Sequence, residues 1–305
     1  MKKLTHFYID DVIWVFRDLT RQRPASIFDN FFLKVLKEAH DKYGLKAQLN
    51  VFYRTDFYYG MDDFSLADMT DAYKAEFEAA SDWLKMGFHS RQEFPDYPWV
   101  NAKYEDVKQV FEDIRREVTR FAGENSFTYA VNPHWLPMSK AGVQALYDCG
   151  VRLMSVTLGT PHEYSGDPTT LPYGHAQRLL SNRQPETRLF TRDTLDASIA
   201  SSICGYNHMS GDVEEIVKNT LTSYPDGEIG MNFTKFGGGI ILNLSDLATL
   251  DQEFAPLLGN EYIGYCTHEQ YSYPDYFGYE PDHGDKILKA AEIMHANGYT
   301  YFFYD

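Results

Sequence analysis

Five residues pair reactive side chains with a telling position: Asp10, Asp11, His89, His134 and His268 each stand at or just past the end of a short apolar run. Such a run is a buried strand, and a polar residue at its C-terminal end is carried out of the core into a common mouth if the strands are parallel. Adjacent carboxylates, here Asp10 and Asp11, point to different sides of a strand, so one can ligate a cation while the other takes a proton from bound water. Imidazoles from two further strands complete a mixed nitrogen and oxygen set with open positions for water and substrate. The chemistry such a set supports is hydrolysis by a metal-activated water. Each residue also has an ordinary use, since an Asp-Asp pair can cap a helix and a single histidine can pack in a core. Ser90, Asn132, Thr267 and Glu269 occupy the same kind of strand-end position.

For these residues to meet, strands and helices must alternate along the chain, and the periodicity predicts that they do. Residues 4–9 read as a buried strand, 26–43 as a helix closed by Gly44, 47–53 as a strand and 66–84 as a helix before Gly87. A brief strand at Phe88, a helix over 104–121, a strand over 128–131, a helix over 139–149 and a strand over 152–157 continue the pattern. Residues 158–210 dissolve into Gly, Pro, Ser and Thr punctuation and read as a loop-rich region or a small β insertion. Regularity resumes with a helix over 212–224, a β-like stretch over 230–244, a helix over 245–258, a strand over 262–266, a helix over 282–297 and a strand over 299–303. Alternation of this kind means a parallel sheet in an α/β fold. Seven or eight such strands suit a (β/α) barrel, one domain over 1–305 interrupted by the insertion.

Charge and composition narrow the function classes. With 28 Lys and Arg against 44 Asp and Glu, the formal charge is −16, which disfavours nucleic acid and anionic membrane surfaces as partners. Hydrophobic residues make up 44% of the chain, enough for a large core. The cysteines, Cys149, Cys204 and Cys266, lie far apart without C-x-x-C spacing and read as reduced thiols. Asp10 and Asp11 interrupt the first apolar run before a leader segment could form, and no stretch of about 18 apolar residues follows. The expectation is a cytoplasmic protein that does not enter a membrane. Gly237-Gly238-Gly239 lacks the G-K-[ST] ending of a phosphate cradle and reads as a turn.

Phe7-Tyr8-Ile9-Asp10-Asp11 resembles the T-F-D-D motif of the polysaccharide deacetylases, the carbohydrate esterase family four and its relatives. Phe88-His89-Ser90 resembles the opening of their H-[ST]-x-x-H motif, Pro133 with residues 139–146 resembles the R-x-P segment and its helix, and Thr267-His268 is similar to the late L-x-H motif. The likeness covers residues 4–155 and, more loosely, the last 45 residues. It implies a distorted (β/α) barrel, a bound divalent ion, Asp10 as catalytic base, Asp11 and His89 as ligands, and His268 as general acid. Two positions depart from the pattern. The second histidine of H-S-x-x-H falls on Glu93, and Val131-Asn132-Pro133-His134 contains no arginine to orient Asp10. Either Glu93 ligates through oxygen or His134 supplies the missing nitrogen; His134 is favoured because it directly follows an apolar strand.

The expected ion is therefore held by Asp11, His89 and His134, with Glu93 as the alternative third ligand, and is zinc foremost, with cobalt, nickel or manganese as alternatives. Tyr97, Trp99, Trp135 and Tyr273 are candidates for stacking on a sugar ring, or else for packing at the barrel rim. The function expected is a metal-dependent hydrolase, a carbohydrate deacetylase or a related C–N or ester hydrolase, acting on a carbohydrate or an N-acetylated small molecule. Two alternatives stay open. One is a glycoside hydrolase on the same barrel, pairing Asp10 with Glu93 or Glu269; the other is an inactive carbohydrate-binding barrel.

Overall fold

The computed structural model describes residues 2–55, 63–94, 97–156, 205–208, 223–237 and 240–304. Most of the predicted insertion, residues 212–222 of the helix predicted over 212–224, Thr157, Cys204, Pro95-Asp96 and Gly238-Gly239 lie outside the described residues, while the last two positions of that helix, Ser223 and Tyr224, are strand instead. The chain has a mixed α/β fold built on parallel sheet. Strand β1 (Lys3–Val12) is central: β2 (Ala47–Phe52) and β9 (Tyr262–His268) pair with it in parallel, and β10 (Tyr299–Tyr301) pairs with its first residues. Beyond them lie β3 (Leu84–Ser90) and β8 (Ile240–Ile241), giving the order β3-β2-β1-β9-β8. A second sheet runs β4-β5-β7-β6, from β4 (Ala130–Val131), β5 (Leu153–Ser155), β6 (Ser223–Pro225) and β7 (Asn232–Thr234), with only the β6–β7 pair antiparallel.

A parallel bridge joins Met86 of β3 to Phe127, three residues before β4, and side chains of the two sheets meet in a shared interior. Tyr8 of β1, Ala130 of β4, Phe236 and Cys266 of β9 form one buried cluster, and Gln48 of β2 donates to the Ala130 carbonyl at 3.0 Å. Alternation on β1 explains this division: Phe7 and Ile9 belong to the main core, while Tyr8 between them faces inward. Among the described residues no strand pairing joins β7 to β8, so the ring of strands is not closed by a ladder there.

Helices α2 (Phe31–Tyr43), α3 (Lys74–Ala80), α4 (Tyr104–Ala122), α5 (Lys140–Asp148), α6 (Leu250–Phe254) and α7 (His283–Ala296) follow their strands as the periodicity predicts, with altered bounds. Asn30 caps α2 by accepting from the Phe32 and Leu33 amides, and Gly44 at φ 70° ends it. The helix predicted over 66–84 is cut at both ends, because one 3₁₀ turn at Leu66–Asp68 gives way to extended backbone at Met69 and because Leu84 already belongs to β3. The predicted helix over 245–258 is mostly short 3₁₀ turns around α6, with Pro256 at the start of one. A helix the periodicity does not predict, α1 (Trp14–Gln22), begins directly after β1 and carries no cap in its own sequence. Among the described residues no helix is long and apolar enough to cross a membrane.

Candidate metal centre

The end of β1 is irregular, and the irregularity builds the site. Pairing with β2 slips between Ile9 and Val12, and Asp11 adopts φ 61°, a left-handed conformation that costs a non-glycine residue of order 1 kcal/mol. A regular strand would send Asp10 and Asp11 to opposite sides, as the sequence leads one to expect; the slip turns both toward the same imidazole. Asp11 Oδ1 lies 3.1 Å from His89 Nε2, and Asp10 Oδ1 lies 3.8 Å from His89 Nδ1.

Asp11, His89 and His134 come together from the ends of β1 and β3 and from the loop after β4. Asp11 Oδ1 is 3.2 Å from His134 Nδ1, which is itself 3.2 Å from His89 Nε2. The outer nitrogens fix the tautomers. His89 Nδ1 donates to the Asn132 carbonyl at 2.6 Å and His134 Nε2 donates to the Glu93 carbonyl at 3.0 Å, so the inner nitrogens of the neutral rings present lone pairs to the same point as Asp11 Oδ1. All three residues are buried, and their ligand atoms lie within 4.8 Å of one another. Edges near 3.2 Å suit donors sharing an ion with bonds of about 2.0–2.2 Å. Two imidazoles and a carboxylate fit a divalent ion of the zinc type better than a hard cation such as calcium, which takes oxygen alone.

Electrostatics agree with this fit. Burial pushes the Asp11 carboxyl up, but the imidazoles of His134 and His89 outweigh it and hold Asp11 well below the usual carboxylate range. For His89 and His134 burial disfavours the charged ring, yet the neighbouring carboxylates raise both above the ordinary imidazole value. Positive charge is favoured at this point whether a proton or a cation supplies it.

Asp10 is held by amides where the family pattern has an arginine. Asn50 Nδ2 donates to Oδ1 at 2.7 Å, and Asn132 Nδ2 reaches both oxygens at 3.2 Å. Gln48 in turn donates to Asn50 Oδ1 at 2.8 Å. The register pairs Asp10 with His268 across β1 and β9, which runs two residues beyond the predicted strand end at Cys266. His268 Nδ1 donates to Asn243 Oδ1 at 3.0 Å, leaving Nε2 for other partners. Asn243 Oδ1 also accepts from Thr267 at 3.2 Å, Thr267 accepts from His283 Nε2 at 2.5 Å, and Ser272 donates to His283 Nδ1 at 2.5 Å. Burial, with Lys286 and His268 nearby, pushes the His283 imidazole down to about 3, so it is neutral and this chain of donors runs one way.

The two residues after His268 tie β9 to β1. Gln270 donates to Asp11 Oδ2 at 2.8 Å. Glu269, 0% exposed, accepts from the Ile13 and Trp14 amides through Oε2 at 2.7 and 2.8 Å, and from Val15 through Oε1 at 2.7 Å. It thereby caps α1 from across the fold, which is why no local cap is legible before Trp14. Burial pushes its carboxyl up to about 7 against the three amides that favour the anion. With both oxygens spent on backbone, Glu269 is not available as the second carboxylate of a glycosidase pair.

Of the other predicted residues, Glu93 is buried and its charge bears on His134, but its backbone carbonyl, not its carboxylate, makes the contact described above. Trp99 is 4% exposed, packs against Phe88 at a tilt and donates its indole N–H to the His89 carbonyl at 3.0 Å; Tyr273 is 2% exposed between Trp14 and Phe31. These two spend their faces on packing and offer none to a sugar. Trp135 is half-buried beside His134, with Tyr97 4.8 Å from it. Asn50, Asn243 and Gln270 were not among the candidates. Polar residues alternating inside an otherwise apolar strand, as Gln48 and Asn50 do in β2, were the available signal for the first. The other two carry none, because their importance lies in partners distant in sequence.

No protein-family model and no curated protein matches the sequence. Among solved structures, the chain is similar to the 4-alpha-glucanotransferase of Thermococcus litoralis at 11% identity and a TM-score of 0.50, over 100% of this chain and 40% of that one. The chain thus spans less than half the length of that enzyme, and the likeness is one of fold. It is also similar to a family 4 acetyl xylan esterase from Clostridium thermocellum in complex with a cobalt ion, at 15% identity and a TM-score of 0.32 over 61% of this chain and 71% of that one. A family 4 carbohydrate esterase from Streptomyces lividans in complex with acetate matches at 8% identity and a TM-score of 0.40, over 99% of this chain and 93% of that one.

Proposed function

We propose that this chain is a divergent relative of the polysaccharide deacetylases and hydrolyses an acetyl amide or ester of a carbohydrate or a similar polyhydroxylated molecule, with a divalent ion, zinc foremost, held by Asp11, His89 and His134. The observation that carries the reading is the convergence of Asp11 Oδ1, His89 Nε2 and His134 Nδ1 on one point beside Asp10. An ion bound there supplies Lewis acidity toward the acyl carbonyl and lowers the pKa of water. Asp10 takes the proton of the attacking water at Oδ2, the oxygen with fewer amide bonds, since Oδ1 already accepts from both Asn50 and Asn132. His268, anchored through Nδ1 to Asn243, delivers a proton from Nε2 to the departing nitrogen or oxygen. Trp135, half-buried beside His134, offers aromatic surface for a sugar ring, whereas Tyr97, 2% exposed, is packed against it.

The glycosidase alternative loses its Asp10 and Glu269 pairing, because the Glu269 oxygens cap α1. The test is a screen of chelator-treated protein against a chromogenic acetyl ester and chitooligosaccharides, with zinc, cobalt, nickel or manganese added back. Ion-dependent release of acetate is expected. A protein that binds none of these ions and whose melting temperature none of them raises overturns the reading in favour of an inactive binding barrel.

A further inference from the structure

The loop that carries His134 is held from outside its own strand-helix unit. Trp135 and Leu136 follow His134 with φ 60° and 72°, two consecutive side-chain-bearing residues in the left-handed region. Conformations of this kind persist only where neighbouring structure dictates them. The neighbour here is a short segment, Gly205 to His208, that lies 49 residues beyond Val156 in the chain. Asn207 is completely buried. Its Oδ1 accepts from the Met138 amide at 3.1 Å, and its Nδ2 donates to the Leu136 carbonyl at 3.0 Å and to the Ser155 carbonyl, at the end of β5, at 2.9 Å. The Tyr206 amide adds a bond to the Met138 carbonyl at 2.7 Å. A side chain at Gly205 would place its Cβ 2.5 Å from the Met138 nitrogen, so glycine is what lets this backbone lie flat on the loop.

We infer that Asn207 is a positioning residue for the ion site: by locking Leu136 and Met138 to the end of β5, it holds His134 Nδ1 against Asp11 and His89 and sets the attitude of Trp135. The inference rests on the ligand assignment proposed above. It also gives the described segment Gly205 to His208 a role, as the piece of chain that clamps the loop after β4. Asn207 touches neither ion nor substrate and acts only through the loop.

Asn207→Ala tests this in the full-length protein, with Leu36→Ala in α2 as a control that lowers stability without touching the loop. Two quantities are read: zinc affinity by competition with a chromophoric chelator, and backbone hydrogen exchange in the peptide containing Leu136 and Met138. Asn207→Ala is expected to weaken zinc binding at least roughly tenfold and to speed exchange in that peptide, while Leu36→Ala leaves both as in the wild type. Wild-type zinc affinity in Asn207→Ala, or unchanged exchange at the loop, overturns the clamp. A wild-type chain that binds no zinc overturns the ligand assignment instead, and loop exchange that still rises in Asn207→Ala then identifies the failure as that of the ion and not of the clamp.

Discussion

Asp10 and His268 are register partners on adjacent parallel strands, β1 and β9, so the proposed base and acid rise side by side from backbones that the ladder holds about 4.8 Å apart. Each is then steadied by neutral amides, Asp10 by Asn50 and Asn132 and His268 by Asn243. The resemblance leads one to expect an arginine near Pro133 beside Asp10; the groups that hydrogen-bond to Asp10 there are the Asn50 and Asn132 amides.

Asp11→Asn keeps the shape of the side chain and removes its charge. Zinc content by elemental analysis is expected to fall from one ion per chain to near none, with turnover lost alongside, because the two imidazoles alone cannot offset desolvation of a divalent cation. Stoichiometric zinc in the variant removes Asp11 from the ligand set.

Asn132→Ala and Asn50→Ala leave the ligands in place and loosen Asp10. Each is expected to lower kcat by roughly 10- to 100-fold with zinc affinity and KM little changed. Since Asn132 reaches both Asp10 oxygens, it should cost more than Asn50; equal kcat in the wild type and both variants shows that the amides do not serve the base.

His268→Gln separates leaving groups. With an acetamide the departing nitrogen must be protonated, and turnover is expected to drop by about 10²–10⁴. A nitrophenyl acetate leaves without a proton and should lose far less. The same loss on both substrates argues for a role of His268 in binding.

His6 sets an acid limit on stability. It is fully buried among Tyr8, Phe236 and Tyr304, and burial pushes its imidazole down to about 4 against an ordinary value of 6.5. Between those values the unfolded chain binds a proton that the folded chain does not, so stability is complete above pH 6.5 and is lost as pH falls toward 4, by about 3 kcal/mol for this residue. Urea midpoints of ion-free His6→Phe at pH 7, 6 and 5 should fall less steeply than those of the wild type; parallel slopes remove His6 as the cause.

Glu269→Ala strips three backbone amides of their acceptor at once. A loss of about 2–4 kcal/mol in denaturant unfolding is expected, more than a single local cap contributes. A change under about 0.5 kcal/mol means that water serves the start of α1 equally well.

Much of the site was legible because a parallel strand gives a residue's address from local pattern alone. An apolar run followed by Asp10-Asp11, by His89 or by His268 states both that the residue is at a strand's C-terminal end and that it shares that end with the others. Strand and helix alternation, the helix α2 with its Gly44 stop and the placing of His134 at the same strand ends as Asp11 and His89 all followed from neighbours within a few positions. What only the tertiary structure decided depended on partners distant in the chain. The slip that turns Asp10 and Asp11 to one side is measured against β2; α1 is capped by Glu269, more than 250 residues away; Trp99 and Tyr273 prove to be packed because other side chains cover them. Periodicity reports how a residue sits on its own element. Hydrogen bonds and burial that cross between elements leave no trace in it, and in this protein those are what aim the carboxylates and imidazoles.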